Sequence, residues 1–209
     1  MSRYDDSRFH DRVTIVEVEE PHTSPPDRFR SGTQPARLVN GWIYIEPAAD
    51  EAIGRLRDSL YREAPSHAYD PVDEPHVTVI PGFNIPATCV YDLTQEVESL
   101  ALLDEPFVAE HLKCYPNRHD PRHVLVDADI DLSDTRVHLT EHIESAGGAV
   151  YNEPVPPHVT LLNADFNARD PWELSDDEHD QLESAIDAHT DRASLATQVE
   201  EITVAITDP

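Results

Sequence analysis

Apolar residues recur along most of the chain at two spacings, and the two spacings alternate. Alternation in residues 42–46 puts Ile43 and Ile45 on one face of a predicted strand, and residues 199–206 close the chain as another strand. Apolar residues three or four positions apart predict four helices, at Ile53, Leu56 and Leu60; Leu93, Val97 and Leu100; Leu139, Ile143 and Ala146; and Leu182, Ala185 and Ile186. From residue 38 the order is strand, helix, strand, helix, strand, strand, helix, strand, helix, strand. This order predicts a fold built from both helices and strands.

Turn and capping residues divide these elements and reveal a repeat. Ser175 and Glu178 form a capping box ahead of the last helix, and residues 107–115 and 123–130 predict a hairpin. A helix followed by a strand that opens on proline and histidine occurs once in each half, about 80 residues apart. The first of these strands is expected to end at residues 81–82, which are Pro-Gly. The repeat predicts two pseudo-symmetric lobes.

The repeated strands carry nearly identical motifs, PHVTV at residues 75–79 and PHVTL at residues 157–161. Successive side chains of a strand point to opposite faces, so the histidine and the threonine of each motif share one face while the valine between them takes the other. If the two strands are neighbours in one sheet, two imidazoles and two hydroxyls converge on a single cleft. The candidate catalytic residues are therefore His76, Thr78, His158 and Thr160.

Two histidines and two threonines supply the groups that cleavage of a phosphodiester needs. Imidazoles with an ordinary pKa of about 6.5 can act as one base and one acid near neutral pH. The hydroxyls of Thr78 and Thr160 can donate hydrogen bonds to phosphoryl oxygens, where charge develops in the transition state. We expect this chemistry to need no metal and no cofactor.

In these two motifs the chain resembles the 2H phosphoesterase superfamily, which is named for two H-x-[ST]-x motifs and includes RNA 2',3'-cyclic phosphodiesterases of the RNA ligase-like type. The resemblance covers residues 37–207. It implies two α+β lobes, each an antiparallel sheet with helices packed on one face, with one motif on a strand of each lobe and the catalytic cleft between them. It also implies a phosphodiesterase in which His158 is the general base and His76 the general acid, although the orientation of the substrate could exchange these roles.

Three further residues are candidate substrate contacts. Tyr44 lies on the face of its strand opposite Ile43 and Ile45, and alternation from residue 107 puts Lys113 and Tyr115 on the motif face. Lys113 is the only lysine of the chain, which makes it a candidate phosphate ligand, whereas an incidental surface position is the ordinary interpretation. The tyrosines could stack on a nucleobase, or simply pack at the border of the core.

The chain carries 42 acidic and 15 basic side chains and a formal net charge of -27. We expect no broad nucleic-acid-binding surface, because such surfaces neutralise phosphates with Lys and Arg. We expect the partner to be a nucleotide or short oligonucleotide phosphoester, and the protein to be a monomer. Abundant carboxylate with almost no lysine resembles proteins of salt-accumulating halophilic archaea or their viruses, where high salt screens self-repulsion.

Other features indicate a cytoplasmic protein. Cys89 and Cys114 have no metal or redox spacing, so we interpret them as reduced thiols. No apolar stretch approaches the roughly 18 residues of a membrane span, and no signal peptide is apparent. Residues 1–36, with a possible strand at 13–18 and then several prolines, are predicted to form a partly flexible N-terminal arm ahead of a domain at 37–209.

Three alternatives stay open. The string HLTEH at residues 138–142 matches the inverted zinc-peptidase pattern H-x-x-E-H, and on a helix its two histidines share a face. The first three letters also form a third H-x-T, which we discount because residues two apart on a helix point away from each other. The chain could instead be a non-catalytic binding or structural module on a 2H-like scaffold, or an enzyme that degrades a cyclic nucleotide or oligonucleotide signal.

Overall fold

The part of the chain that the structure describes contains four α-helices, nine β-strands and two short 3-10 helices. The structure is a computed structural model, and it describes residues 13–17, 37–48, 50–65, 67–165 and 173–207. The strands are β1 (Val13–Glu17), β2 (Leu38–Pro47), β3 (Tyr69–Pro71), β4 (Val77–Pro86), β5 (Pro106–Asn117), β6 (Asp120–Ala128), β7 (Ala149–Val150), β8 (His158–Ala164) and β9 (Leu195–Thr207). The helices are α1 (Asp50–Glu63), α2 (Val90–Ser99), α3 (Ser133–Ser145) and α4 (Asp176–His189). The predicted α+β class is confirmed.

All nine strands join into one sheet, in the order β3-β8-β6-β5-β9-β2-β4-β7, with β1 added alongside β9. Every pairing is antiparallel except that of β1 with β9, which is parallel. The long strand β9 joins two halves, because residues 195–198 pair with β5 and residues 199–207 pair with β2. The first half contains β1, β2, β4 and β7, and the second contains β3, β5, β6 and β8.

Helices cover the apolar face of each half. Helix α3 packs beside β4 and β7, and α2 packs beside α3 and β1. Helices α1 and α4 pack together, α1 beside β3 and β8 and α4 beside β5. The residues expected on that face are all fully buried, namely Ile43, Ile45, Val77, Val79, Val124 and Val126. Burying this face is the main favourable contribution to folding, and it leaves the opposite face of the motif strands uncovered by these helices. Among the described helices, none has the length and apolar character that crossing a bilayer requires.

Several boundaries differ from the predictions. Strand β4 does not end at residues 81–82 but continues to Pro86, because β2 pairs with it as far as the Leu38–Pro86 pair. Proline is tolerated at position 81 because β8 and β7 pair with β4 only at Val77 and from Phe83 onwards, so no ladder bond is lost there. Strand β9 starts at Leu195, before the expected residue 199. Strands β3 and β7 have three and two residues, too few for an alternating pattern to reveal.

The N-terminal prediction falls mostly outside the described residues. Strand β1 is present at Val13–Glu17, where it pairs with Ile202 to Ile206 of β9. Residues 1–12 and 18–36, the rest of the proposed arm, lie outside the part of the chain that the structure describes. The boundary between arm and domain at residues 36 and 37 stays a prediction.

Candidate active site

The two motif strands touch each other at the residue between each histidine and threonine. Strands β4 and β8 run antiparallel and pair Val77 with Val159, and both valines are fully buried. Flanking residues of an antiparallel pair lie opposite each other on the other face of the sheet. Extended by one residue in each direction, this register places His76 opposite Thr160, and Thr78 opposite His158. A local two-fold relation thus brings the motifs to one site.

Each motif strand also contains a β-bulge directly after its threonine. In the first half Ile43 and Tyr44 pair with Ile80 and Thr78, so Val79 is the extra residue. In the second half Val124 and Leu125 pair with Leu162 and Thr160, so the extra residue is Leu161. A bulge re-aims the side chains around it, and here it lets two consecutive apolar residues face the core while the threonine before them stays on the other face.

Both motif histidines are held in the same way. His76 Nδ1 lies 2.9 Å from the Glu74 carbonyl oxygen, and His158 Nδ1 lies 2.8 Å from the Pro156 carbonyl oxygen. A carbonyl can only accept, so each Nδ1 carries a proton and donates it to the residue two positions earlier. The neutral tautomer therefore leaves Nε2 as a proton acceptor, and protonation turns the same atom into a proton donor.

A cleft of about 310 Å³ opens between the motifs, which is within the usual range for small-molecule sites. Its lining residues are Val72, His76, Tyr115, His123, Val155, His158, Thr160 and Asn163. None of these described lining residues is acidic, although the chain contains 42 Asp and Glu. The lining offers imidazoles, a hydroxyl and an amide to an anion without placing a carboxylate beside it.

Burial lowers the pKa of the His76 imidazole. Desolvation lowers its pKa from the ordinary value, the hydrogen bond to the Glu74 carbonyl opposes this, and the charge of His158 lowers it further. The ring of Tyr44, itself almost buried, covers His76 with 4.5 Å between ring centroids. The imidazole of His76 is consequently biased towards its neutral form near pH 7, and a proton on His158 strengthens that bias.

Of the predicted substrate contacts, Tyr115 lines the cleft, whereas Tyr44 and Lys113 do not. Tyr115 lines the cleft, and its ring lies nearly parallel to that of His158, 6.5 Å away between centroids and at 14°. Thr78 and Tyr44, paired between β4 and β2, are not among the lining residues. The ammonium of Lys113 lies 2.6 Å from the carboxylate of Asp127, the residue that pairs with His158 in the ladder of β6 and β8.

Two lining residues were missed by the sequence reasoning. His123 on β6 pairs with Asn163 on β8, and His123 Nδ1 lies 2.8 Å from Asn163 Oδ1. A signal for His123 existed, because placing Val124 and Val126 in the core puts residue 123 on the cleft face. Asn163 lies beyond the bulge, where simple alternation from Thr160 assigns it to the wrong face.

The two histidines of the zinc-peptidase pattern lie beside a glutamate of the neighbouring helix. His138 and His142 on α3 both approach the carboxylate of Glu96 on α2, His138 through a hydrogen bond and His142 at 3.7 Å. Within the described ranges, no group of three or more His, Cys, Asp or Glu is arranged to hold a metal ion. The histidines of residues 138–142 thus connect two helices instead of converging with further ligands.

No family model and no curated protein matches the chain. Among solved structures, the PDE domain of MHV ns2 is similar at 16% identity, a TM-score of 0.46, and coverage of 61% of this chain and 84% of that one. E. coli LigT complexed with 3'-AMP is similar at 19% identity and a TM-score of 0.41, with coverage of 62% of this chain and 74% of that one. Kluyveromyces marxianus Usb1 is similar at 11% identity and a TM-score of 0.43, with coverage of 81% of this chain and 97% of that one. All three likenesses lie below 20% identity and below a TM-score of 0.5.

Proposed function

We propose that the protein is a metal-independent phosphodiesterase that cleaves a cyclic phosphate or a small nucleotide phosphodiester with His76 and His158 as general base and general acid. The observation that carries the proposal is the matched pair of Nδ1 hydrogen bonds, to the Glu74 and Pro156 carbonyls, in two histidines of one cleft. This pair leaves two Nε2 atoms able to move protons at one site, as attack on phosphorus and departure of an alkoxide require.

We assign the base role to His76, which exchanges the roles implied by the family resemblance. The neutral form favoured by burial of His76 can accept a proton from water as the water oxygen forms a bond to phosphorus. As the phosphorus–ribose oxygen bond breaks, His158 Nε2 gives a proton to the departing oxygen. For a 2',3'-cyclic phosphate the product is a monoester, and the two histidines exchange protons with water to complete the cycle.

The rest of the cleft supports binding of a small anion. The hydroxyl of Thr160 is available to a non-bridging phosphoryl oxygen, and the proposed protonated His158 adds positive charge beside it. Lys113 neutralises Asp127, the acidic residue nearest in register to His158. We therefore propose that Lys113 does not contact the substrate, and that its role is to neutralise the negative charge of Asp127. The net charge of -27 outside the cleft favours a short substrate over a long polyanion.

A substrate panel tests the proposal. The protein, in about 1 to 3 M KCl with EDTA, is incubated with 2',3'-cyclic nucleotides, 2'-5' and 3'-5' linked oligonucleotides, cyclic dinucleotides and ADP-ribose cyclic phosphate, and the products are separated by chromatography. We expect cleavage of at least one phosphodiester that persists in EDTA and is lost in His76→Asn and His158→Asn. Selective cleavage of 2'-5' links or cyclic dinucleotides would assign the signal-degrading alternative. Absence of cleavage of every substrate, or activity that EDTA abolishes, would refute the proposal of a metal-independent phosphodiesterase.

The assay salt follows from a second proposal, that the protein works in the cytoplasm of a halophile. Its support is the ratio of 42 acidic to 15 basic residues, with one lysine. Repulsion among these charges is screened over about 3 Å at 1 M salt, instead of about 10 Å at 0.1 M. Activity that is highest at about 0.1 M KCl would contradict this proposal without affecting the first.

A further inference from the structure

The bulges after Thr78 and Thr160 create the same structural problem in both motifs. A bulge of this type turns two successive carbonyls away from the partner strand, and polar backbone groups in the interior need partners. In the second motif the chain itself provides one, because the Val72 amide donates to the Leu161 carbonyl at 2.9 Å, directly after the pairing of β3 with β8. The second bulge is therefore held by backbone.

Within the described ranges, the first bulge has no such backbone neighbour on this edge. Among the described strands, β8 pairs with β4 only at Val77, and β7 pairs with it only from Phe83. The carbonyls of Thr78 and Val79 lie within this gap. A side chain occupies it instead: Arg136 of α3 donates from Nη2 to the Thr78 carbonyl at 2.9 Å.

The same guanidinium reaches both carbonyls, since Arg136 Nε also donates to the Val79 carbonyl at 3.0 Å. The planar fork of arginine can reach two neighbouring acceptors at once, which the single ammonium of a lysine does with far less geometric constraint. The guanidinium is partly buried, and this burial lowers its pKa from the ordinary value while leaving it charged. A partly buried charge that donates to two carbonyls is costly to move away from them, so it restrains the local backbone.

We propose that Arg136 is a positioning residue of this site: by binding both carbonyls of the first bulge, it fixes the backbone that aims Thr78 and His76. This inference rests on the proposed function, and it adds a residue that neither motif contains. It also makes the two motifs unequal. Both bulged strands pair with a neighbour along one edge, β4 with β2 and β8 with β6. On the other edge the second bulge is held by a backbone amide, whereas the first is held by one side chain from a helix.

The test compares Arg136→Ala and Arg136→Lys with Arg55→Ala and Arg55→Lys. Arg55 is a matched control because it also lies on a helix and its side chain, which is 67% exposed, pairs only with Glu51 one turn away among the described contacts. Rates are measured on the wild-type substrate at least 20 °C below each variant's Tm, so that folded protein is compared. We expect Arg136→Ala to lose at least tenfold in kcat with a change in KM below threefold, and Arg136→Lys to recover less than half of that loss on a logarithmic scale. The Arg55 variants should stay within twofold of wild type.

Addition of methylguanidinium at millimolar concentration tests whether a free guanidinium can replace the missing side chain. If Arg136 served only the stability of the fold, kcat of the folded alanine variant would not respond to it. It should raise kcat of Arg136→Ala severalfold and leave wild type and Arg55→Ala unchanged. Folded Arg136→Ala with kcat within twofold of wild type would overturn the inference. If the alanine variant does not fold, folded Arg136→Lys decides, and wild-type kcat in it would overturn the inference equally. A wild-type protein inactive on every substrate refutes the proposed function instead, because that arm does not involve Arg136.

Discussion

Replacing His158 by asparagine, glutamine and alanine separates the hydrogen bond of this side chain from its proposed catalytic role. Its Nδ1 donates to the Pro156 carbonyl at 2.8 Å, and its Nε2 is the proposed proton donor. The amide nitrogen of asparagine stands as many bonds from the backbone as Nδ1, so His158→Asn keeps the structural hydrogen bond and removes the acid. His158→Gln places an amide near the Nε2 position, where it can hydrogen-bond but cannot transfer a proton. His158→Ala removes both.

The two jobs have different expected magnitudes. Loss of a general acid lowers the rate by about a hundredfold to ten-thousandfold, or about 2.7 to 5.4 kcal/mol of barrier, so all three variants should lose at least a hundredfold in kcat/KM. Loss of one hydrogen bond costs about 1 kcal/mol of unfolding free energy, or about 2 to 4 °C in Tm for a chain of this size. Only His158→Ala should show the full loss of stability, and His158→Asn should unfold close to wild type.

Steady-state hydrolysis and calorimetry in the same buffer measure both effects, with His119→Asn at the exposed hairpin turn as the control for removal of a histidine. Wild-type kcat/KM should be bell-shaped in pH, and replacement of the acid should remove its alkaline limb. The reasoning fails if any of the three variants keeps kcat/KM within tenfold of wild type. It also fails if His158→Asn is as unstable as His158→Ala, since the Nδ1 bond would then not hold the ring.

Three further outcomes are expected. Thr160→Ser should retain activity within about fivefold, whereas Thr160→Val should lose about a hundredfold in kcat because a donor to the phosphoryl oxygen is removed; equal rates in the two would contradict this role. Asn163→Ala should raise KM more than it lowers kcat, since Asn163 holds His123 in the wall of the cleft away from the motif atoms; a pure kcat loss would place it in the chemistry. Burial lowers the pKa of His76 in the folded state below its unfolded value of about 6.5, so this group contributes stability above that pH, and the contribution is lost as pH falls below it. Wild type should therefore lose more unfolding free energy than His76→Gln, measured by urea titration, between pH 7 and 5.

The sequence by itself determined what depends on spacing along the backbone. Alternation fixed that His76 and Thr78 share a face, since side chains of a strand alternate wherever the strand is placed in the fold. The same rule identified Val77 and Val79 as core, and the helical spacing located all four helices. Even the bulges left a trace, in the two consecutive apolar residues that follow each motif threonine, VI and LL.

Only the tertiary structure decided which distant residues lie around the candidate site. The pairing of Val77 with Val159, the support of the first bulge by Arg136 and the neutralisation of Asp127 by Lys113 each join residues that the local pattern treats as unrelated. The reason is physical. Local spacing is imposed by the geometry of one strand or helix, whereas the choice of neighbours depends on how all the apolar faces are buried together, and every polar group inside must then find whichever partner that packing brings within reach.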